Sequence, residues 1–259
     1  MIYVCIPSHD EGPTVGLLLW RIRQVFTGFP REYQLLVGDD GSTDSTAEIL
    51  QPYSRVLPLT VLRSERRLGY ASTVEGLLRH AAQRTDRPKR DCAIVMHADF
   101  THGPQYLPEL VRRIESGADL VVGEGVLQGE ESRPHRLLRR WAPMLLRSRV
   151  GVRNVHDVVS GYMAIRLGTL KTAMKEADGK LLRLEGWAAN AELIGRIGRL
   201  ARKVETVPTV ERHDLRQRSS RVEPWDATRA LWKARGGFRF PPLAPSTRAS
   251  AEREPEPVT

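Results

Sequence analysis

Cysteine is nearly absent from this chain: 259 residues carry two, Cys5 and Cys92. That scarcity excludes a disulfide scaffold and points to a reducing compartment. Both lie in apolar runs and read as core thiols. No apolar stretch reaches the roughly 18 residues of a membrane-spanning helix. The opening residues 1–7 have neither the basic segment nor the small-residue cleavage site of a signal peptide, and read as a first strand. There is no GxGxxG and no GxxxxGK[ST], so a dinucleotide fingerprint and a P-loop are both excluded. No internal repeat is present.

The chain does have length and positive charge. Its size suits one large domain or one domain with an appendage, and a chain this long buries roughly three quarters of its unfolded surface. Forty Lys and Arg against 31 Asp and Glu give a net charge of +9. An arginine-rich surface explains this blandly. Attraction to anionic partners explains it functionally, whether nucleotide phosphates, an anionic membrane or nucleic acid.

Hydrophobic patterning alternates strand and helix along the first half. Strands are expected at 2–6 (ended by Pro7), 34–37, 57–62, 92–96 and 119–122, with helices at 17–25, 47–50, 72–82 and 106–116. Strands separated by helices predict an α/β, doubly wound, mostly parallel sheet with helices on both faces. Beyond Gly123, the stretch 133–150 is basic and amphipathic, with Trp141, Leu145 and Leu146 on its apolar side. Further strands are expected at 161–165 and at 203–207, the latter ending in Pro208, with helices at 184–197 and 227–235. The domain expectation is 1–222, then a basic amphipathic segment at 223–240. The tail at 241–259 is Pro-, Ser- and Glu-rich and reads as disordered.

Acidic clusters close three of these strands: Pro7-Ser8-His9-Asp10-Glu11, Asp39-Asp40-Gly41-Ser42 and His97-Ala98-Asp99. In an open α/β sheet, ligands bind at the carboxyl ends of strands, so the three clusters should converge on one crevice. As a bland alternative, each merely caps the following helix. A diphosphate held without a glycine-rich cradle needs a hard cation, Mn²⁺ or Mg²⁺, which takes carboxylate and phosphate oxygens. Asp99 is the natural ligand, while Asp39 and Asp40 suit hydrogen bonds from a ribose or base.

These segments resemble the family 2 glycosyltransferases of GT-A fold, within them the dolichol- or polyprenyl-phosphate mannosyltransferase branch. The resemblance covers roughly residues 2–222. Pro7 to Glu11 is similar to a P-x-x-N-E opening, with Asp10 where Asn is usual, and 37–44 to a DDGSxD motif. Arg67-Leu68-Gly69-Tyr70-Ala71 is similar to a GLGxA turn, and 96–104, continued by 106–110, to MDADLxHxP. Residues 157–162 are similar to D-x-x-S-G-F; Glu192, Arg196, Val207-Pro208 and Glu211-Arg212 follow in family order.

The resemblance implies that Pro7, Glu11, Asp39 and Asp40 hold the nucleoside and that Asp99 binds the metal. Thr101, where Gln is common, would be a further ligand. Arg212, Ser220 and Arg221 match a late basic segment that contacts phosphate. His97 departs from the pattern by replacing the first Asp of DAD. Imidazole suits Mn²⁺ better than Mg²⁺; His97 is then a metal ligand, a direct phosphate donor or a structural residue. Gly123-Glu124-Gly125 stands where GSR is expected, and Arg133, Arg136, Arg139 or Arg140 are the candidates to replace the missing arginine.

The expected activity is inverting transfer of a hexose, mannose or glucose, from a nucleoside-diphosphate sugar to a polyprenyl phosphate, in the cytoplasm or peripherally on the inner membrane face. A phosphate acceptor is already anionic and needs no strong base. A hydroxyl acceptor needs one, with Asp157 and Glu192 as candidates; their alternative role is to orient arginines or loop backbone. Two further readings stand beside this one: a soluble sugar or natural-product hydroxyl as acceptor, and a non-catalytic nucleotide-binding protein. Nucleic acid is not expected, because the carboxylate clusters would repel its backbone and the basic residues do not interleave with aromatics. The basic segments around Trp141 and Trp232 suit an anionic lipid surface. Oligomeric state does not follow from the sequence.

Overall fold

A computed structural model describes residues 1–128, 133–177, 179–212, 229, 231–233, 236–238 and 240. Its seven strands are β1 (Ile2–Ser8), β2 (Tyr33–Asp40), β3 (Leu59–Ser64), β4 (Cys92–Val95), β5 (Leu120–Gln128), β6 (Met163–Arg166) and β7 (Val204–Arg212). They form one sheet in the order β3-β2-β1-β4-β6-β5-β7. β6 runs antiparallel to β4 and β5; the other pairings are parallel. The helices are α1 (Gly12–Gly28), α2 (Thr46–Val56), α3 (Tyr70–Arg84), α4 (Leu107–Glu115), α5 (Arg133–Val150), α6 (Leu167–Glu176) and α7 (Trp187–Leu200).

Period-2 alternation divides the core. Along β1, Ile2, Val4 and Ile6 pack with α1, α2 and α4, while Tyr3 and Cys5 face α3 and the α5–α7 side. Both faces of the sheet are therefore covered, and every side chain of the central strands β1, β4 and β6 is buried, which gives them apolar runs. Cys5 and Cys92 are free and buried; burial pushes both thiols up, Cys92 to about 12.

Two prolines lie inside strands that they were expected to end. Pro7 pairs opposite Gly38, beyond the last β4 partner, which faces Cys5; its missing N–H leaves no bond to β4 unmade. Pro208 sits on β7, which pairs with β5 at the edge of the sheet, where proline is tolerated. β3 begins two residues later than expected, and α6 was not foreseen at all. In the segment expected to be a separate amphipathic unit, Leu231 is buried in the main core. Trp232 is exposed. The tail 241–259 lies outside the described residues.

Candidate active site

The carboxyl ends of β1 and β2 are stitched to each other. Asp10 has φ 47°, a left-handed conformation that Asp and Asn adopt more readily than other non-glycine residues. This accounts for Asp standing where the resembling family has Asn. In that pose the Asp10 N–H donates to Ser42 Oγ (2.9 Å), and its Oδ1 accepts from the N–H groups of Thr43 (2.8 Å) and Asp44 (3.3 Å). Glu11 N–H donates to Thr46 Oγ1 (2.9 Å) and Gly12 N–H to Asp44 Oδ2 (3.0 Å). Burial pushes the Asp44 carboxyl up, but bonds from Thr46 and Gly12 outweigh it and hold it below the usual range. Much of the DDGSTDST stretch is thus loop architecture.

Asp39 and Asp40 part company here. Asp40 accepts from the N–H groups of Leu68 (2.6 Å) and Gly69 (3.0 Å), clamping the turn that leads into α3. Gly69 has φ 97°, which favours glycine. Asp39 is fully buried. Its Oδ1 accepts from Ser42 N–H (3.0 Å). Its Oδ2 has Arg63 Nε at 3.4 Å and no hydrogen bond. A buried carboxylate oxygen so poorly satisfied suits a donor on a ligand.

These ends border a cavity of about 200 Å³. Pro7, Glu11, Asp40, Arg67, His97 and Asp99 line it with Tyr70, Trp187 and Asn190. Glu11 is buried and accepts from Thr14 Oγ1 (3.2 Å). Asp99 Oδ1 accepts from Thr101 N–H (3.1 Å) and Oγ1 (2.6 Å), so Thr101 positions the carboxylate. Between them Phe100 has φ 62°, strain of a kind that clusters at ligand sites. His97 stacks on Tyr70 (centroids 5.4 Å apart, 5° between planes) and tilts against His102 (5.1 Å). The Tyr70 hydroxyl donates to Asn190 Oδ1 (2.8 Å), and Asn190 Nδ2 to Val159 O (3.1 Å).

Among the described residues no three His, Cys, Asp or Glu side chains group closely enough to hold a metal by themselves. One carboxylate, Asp99, with His97 on the same cavity wall, fits a hard cation whose remaining positions are filled by the phosphates of a bound nucleotide. It does not fit a cation held by protein alone.

A second, larger concavity of about 870 Å³ lies between β5, α5 and the loop at 151–157. Arg136, Arg140 and Arg147 line it together with Val126, Leu137 and Met144. At its base Arg139 donates to Asp157 Oδ1 through Nη1 (2.8 Å) and to Glu211 Oε1 through Nη2 (2.6 Å). The Arg139 guanidinium also lies 5.7 Å from the Trp187 ring centroid, so a residue lining one concavity adjoins a residue lining the other.

The structure does not bring all expected site residues to the cavity. Glu192 lies on α7 away from it. Its Oε2 accepts from Arg183 and Leu184 N–H (2.8 and 3.0 Å), and its Oε1 from Arg196 Nη2 (2.8 Å). Asp157 lines the second concavity as the partner of Arg139. Both carboxylates thus orient arginines or backbone, the alternative to a base role. Arg212 closes β7 opposite Gln128; Ser220 and Arg221 lie outside the described residues. Sequence reasoning missed Trp187 and Asn190: the helix was expected at 184–197, three residues ahead of its place, so Trp187 did not stand out as its first residue. It also missed the Arg139–Glu211 contact, because the two are far apart in sequence.

A sheet of this order, with a cavity at the carboxyl edge of β1, β2 and β4, is the GT-A fold. The fold is shared with the crystal structure of glucosyl-3-phosphoglycerate synthase from Mycobacterium tuberculosis in complex with Mn²⁺, UDP and glucosyl-3-phosphoglycerate (TM-score 0.60, 21% identity, covering 93% of this chain and 81% of that one). The model of glycosyl transferase family 2 matches residues 3–173, more than half of the chain, and the chain belongs to that family. It is 31% identical over 170 residues to the dolichol-phosphate mannosyltransferase of Pyrococcus furiosus, covering 64% of this chain and 46% of that protein. It is also 25% identical over 257 residues to the polyprenol monophosphomannose synthase of Mycolicibacterium smegmatis, covering 91% of each. The chain therefore spans about half of the first relative and nearly all of the second.

Proposed function

We propose that the chain transfers a hexose from a nucleoside-diphosphate sugar to a polyprenyl phosphate, with inversion at the anomeric carbon. The observation that carries this reading is the placement of two unlike concavities side by side, Arg139 of one against Trp187 of the other. One side is small and carries the carboxylates of Glu11, Asp40 and Asp99. The other is open and offers arginines beside exposed apolar side chains, the chemistry of a lipid with an anionic head.

Pro7, Glu11 and Asp40, which line the cavity, hold the nucleoside, and Asp39 behind them offers an unsatisfied oxygen. Asp99 and His97 hold a divalent cation, Mn²⁺ or Mg²⁺, shared with the donor. When bound, that ion stabilises the charge that develops on the departing diphosphate. Arg136, Arg140 and Arg147 attract the acceptor phosphate, and Arg212, the last residue of β7, and Arg221 add positive charge. An acceptor phosphate is a nucleophile without deprotonation, which agrees with the engagement of Asp157 and Glu192 in ion pairs. Among the described residues no helix is long and apolar enough to cross a membrane. The exposed Trp141, Leu137 and Met144 on α5 support a peripheral seat on an anionic bilayer.

The test is a KM split. Arg136→Ala with Arg140→Ala should raise KM for polyprenyl phosphate about tenfold or more while leaving KM for the donor within about twofold. An unchanged acceptor KM would remove the groove from the account.

A further inference from the structure

Arg67 stands out among the cavity-lining residues. Its backbone is fixed. Leu68 and Gly69 N–H are held by Asp40, and a Cβ on Gly41 would come within 2.7 Å of Arg67 N. Its side chain is exposed, lines the donor cavity and has no hydrogen-bond or ion-pair partner among the described residues. The neighbouring Arg63, by contrast, is engaged with Asp39. A second, independent feature lies in the same lining: Ser8 Oγ is buried and has no hydrogen-bond partner. Meanwhile the acidic cluster after β4 holds one carboxylate, Asp99, with the imidazole of His97 before it.

A guanidinium on a rigid turn, with five donors in a planar fork and no carboxylate of its own, is suited to two oxygens of a phosphate. Of the three carboxylates in the lining, Glu11 accepts from Thr14 and Asp40 holds the Leu68–Gly69 turn, and no three side chains group to hold a metal among the described residues, so a diphosphate there needs another source of positive charge. We propose that Arg67 binds the donor's diphosphate directly, with Ser8 Oγ as an added donor, so that nucleoside diphosphate binding survives removal of divalent cations. This rests on the reading of the cavity as a nucleoside-diphosphate site.

Calorimetric titration of the full chain with UDP and with GDP, in EDTA and in Mn²⁺, tests it, comparing the unaltered protein with Arg67→Ala and Arg67→Lys. One of the two nucleotides should bind the unaltered protein in EDTA within about tenfold of its affinity in Mn²⁺. Arg67→Ala should weaken binding in EDTA by about 10- to 100-fold, with Lys intermediate. Binding of the parent nucleoside, uridine or guanosine, should not change. Thermal unfolding without ligand checks that the variants fold. Loss of all binding by the unaltered protein in EDTA, with binding intact in Mn²⁺, overturns the inference and leaves the transferase reading standing. So does an Arg67→Ala that binds as tightly in EDTA, or that weakens nucleoside and diphosphate equally. Absence of binding under both conditions overturns the inference and the site reading together.

Discussion

Arg139 and Asp157 face each other as a two-pronged ion pair, Nη1 to Oδ1 at 2.8 Å and Nη2 to Oδ2 at 2.5 Å. The same guanidinium reaches both oxygens of Glu211, at 2.6 and 3.1 Å. Burial works against the charge on Arg139, but Glu211 and Asp157 overcome it and hold the group protonated well above its ordinary value. One cation thus joins α5, the 151–157 loop and β7 beneath the acceptor groove. Arg139→Ala leaves two buried carboxylates facing each other and should cost about 3–5 kcal/mol of stability. Asp157→Asn, which leaves the Glu211 contact, should cost less. Urea titration of the two variants measures the order.

Gly161 is fitted to His97. A Cβ at position 161 would lie 2.1 Å from His97 Nε2, and the ring cannot retreat easily because it is stacked between Tyr70 and His102. Gly161→Ala should leave the protein folded, at a cost of about 1–3 kcal/mol, and should displace His97 from the cavity wall. A Tm lower by several degrees together with weakened nucleotide binding is the expected pair of results.

Acid sensitivity should arise away from the site. Burial pushes Asp119 up, but bonds from Arg202 and Arg166 outweigh it, so its carboxyl lies below the usual range. Glu75 is likewise raised by burial and lowered further by the N–H groups of Leu181 and Leu182 and by Arg79. A depressed folded-state value adds stability above the unfolded value of about 4, and that stability is lost as pH falls through the folded value. Urea midpoints should therefore hold from neutrality to about pH 5 and drop below about pH 4. Asp119→Asn should lower the midpoint at neutral pH and flatten the acid limb.

Much of this was legible from the sequence, for reasons the structure makes physical. Strands buried on both faces are unbroken apolar runs, so β1, β2 and β4 stood out, and the acidic residues closing them converge as α/β topology requires. Pro7 and Pro208 misled because what decides proline's tolerance is which neighbour strand lies alongside, a tertiary fact. Asp40 was read as a ligand group; it lines the cavity, and its oxygens also hold the Leu68–Gly69 turn. The sequence could not separate it from Asp39, which stands beside it and is the one left with an unsatisfied oxygen. Arg139 was one of four interchangeable arginines until the fold set Asp157 and Glu211 around it.

Membrane seating has its own test. Trp141, Leu137 and Met144 are exposed on α5 beside Arg136, Arg140 and Arg147. Co-sedimentation with vesicles rich in phosphatidylglycerol should exceed that with pure phosphatidylcholine and should weaken as salt is raised. Trp141→Glu should reduce it severalfold without changing nucleotide binding.

The most direct measurement of the central claim is transfer of labelled hexose from GDP-mannose and UDP-glucose to a short polyprenyl phosphate in detergent, with the matching polyprenol and simple sugars as competing acceptors. The account predicts label in the polyprenyl phosphate product from one of the donors, none in the polyprenol, and loss of transfer in Asp99→Ala. Label in a hydroxyl acceptor with none in polyprenyl phosphate would contradict it.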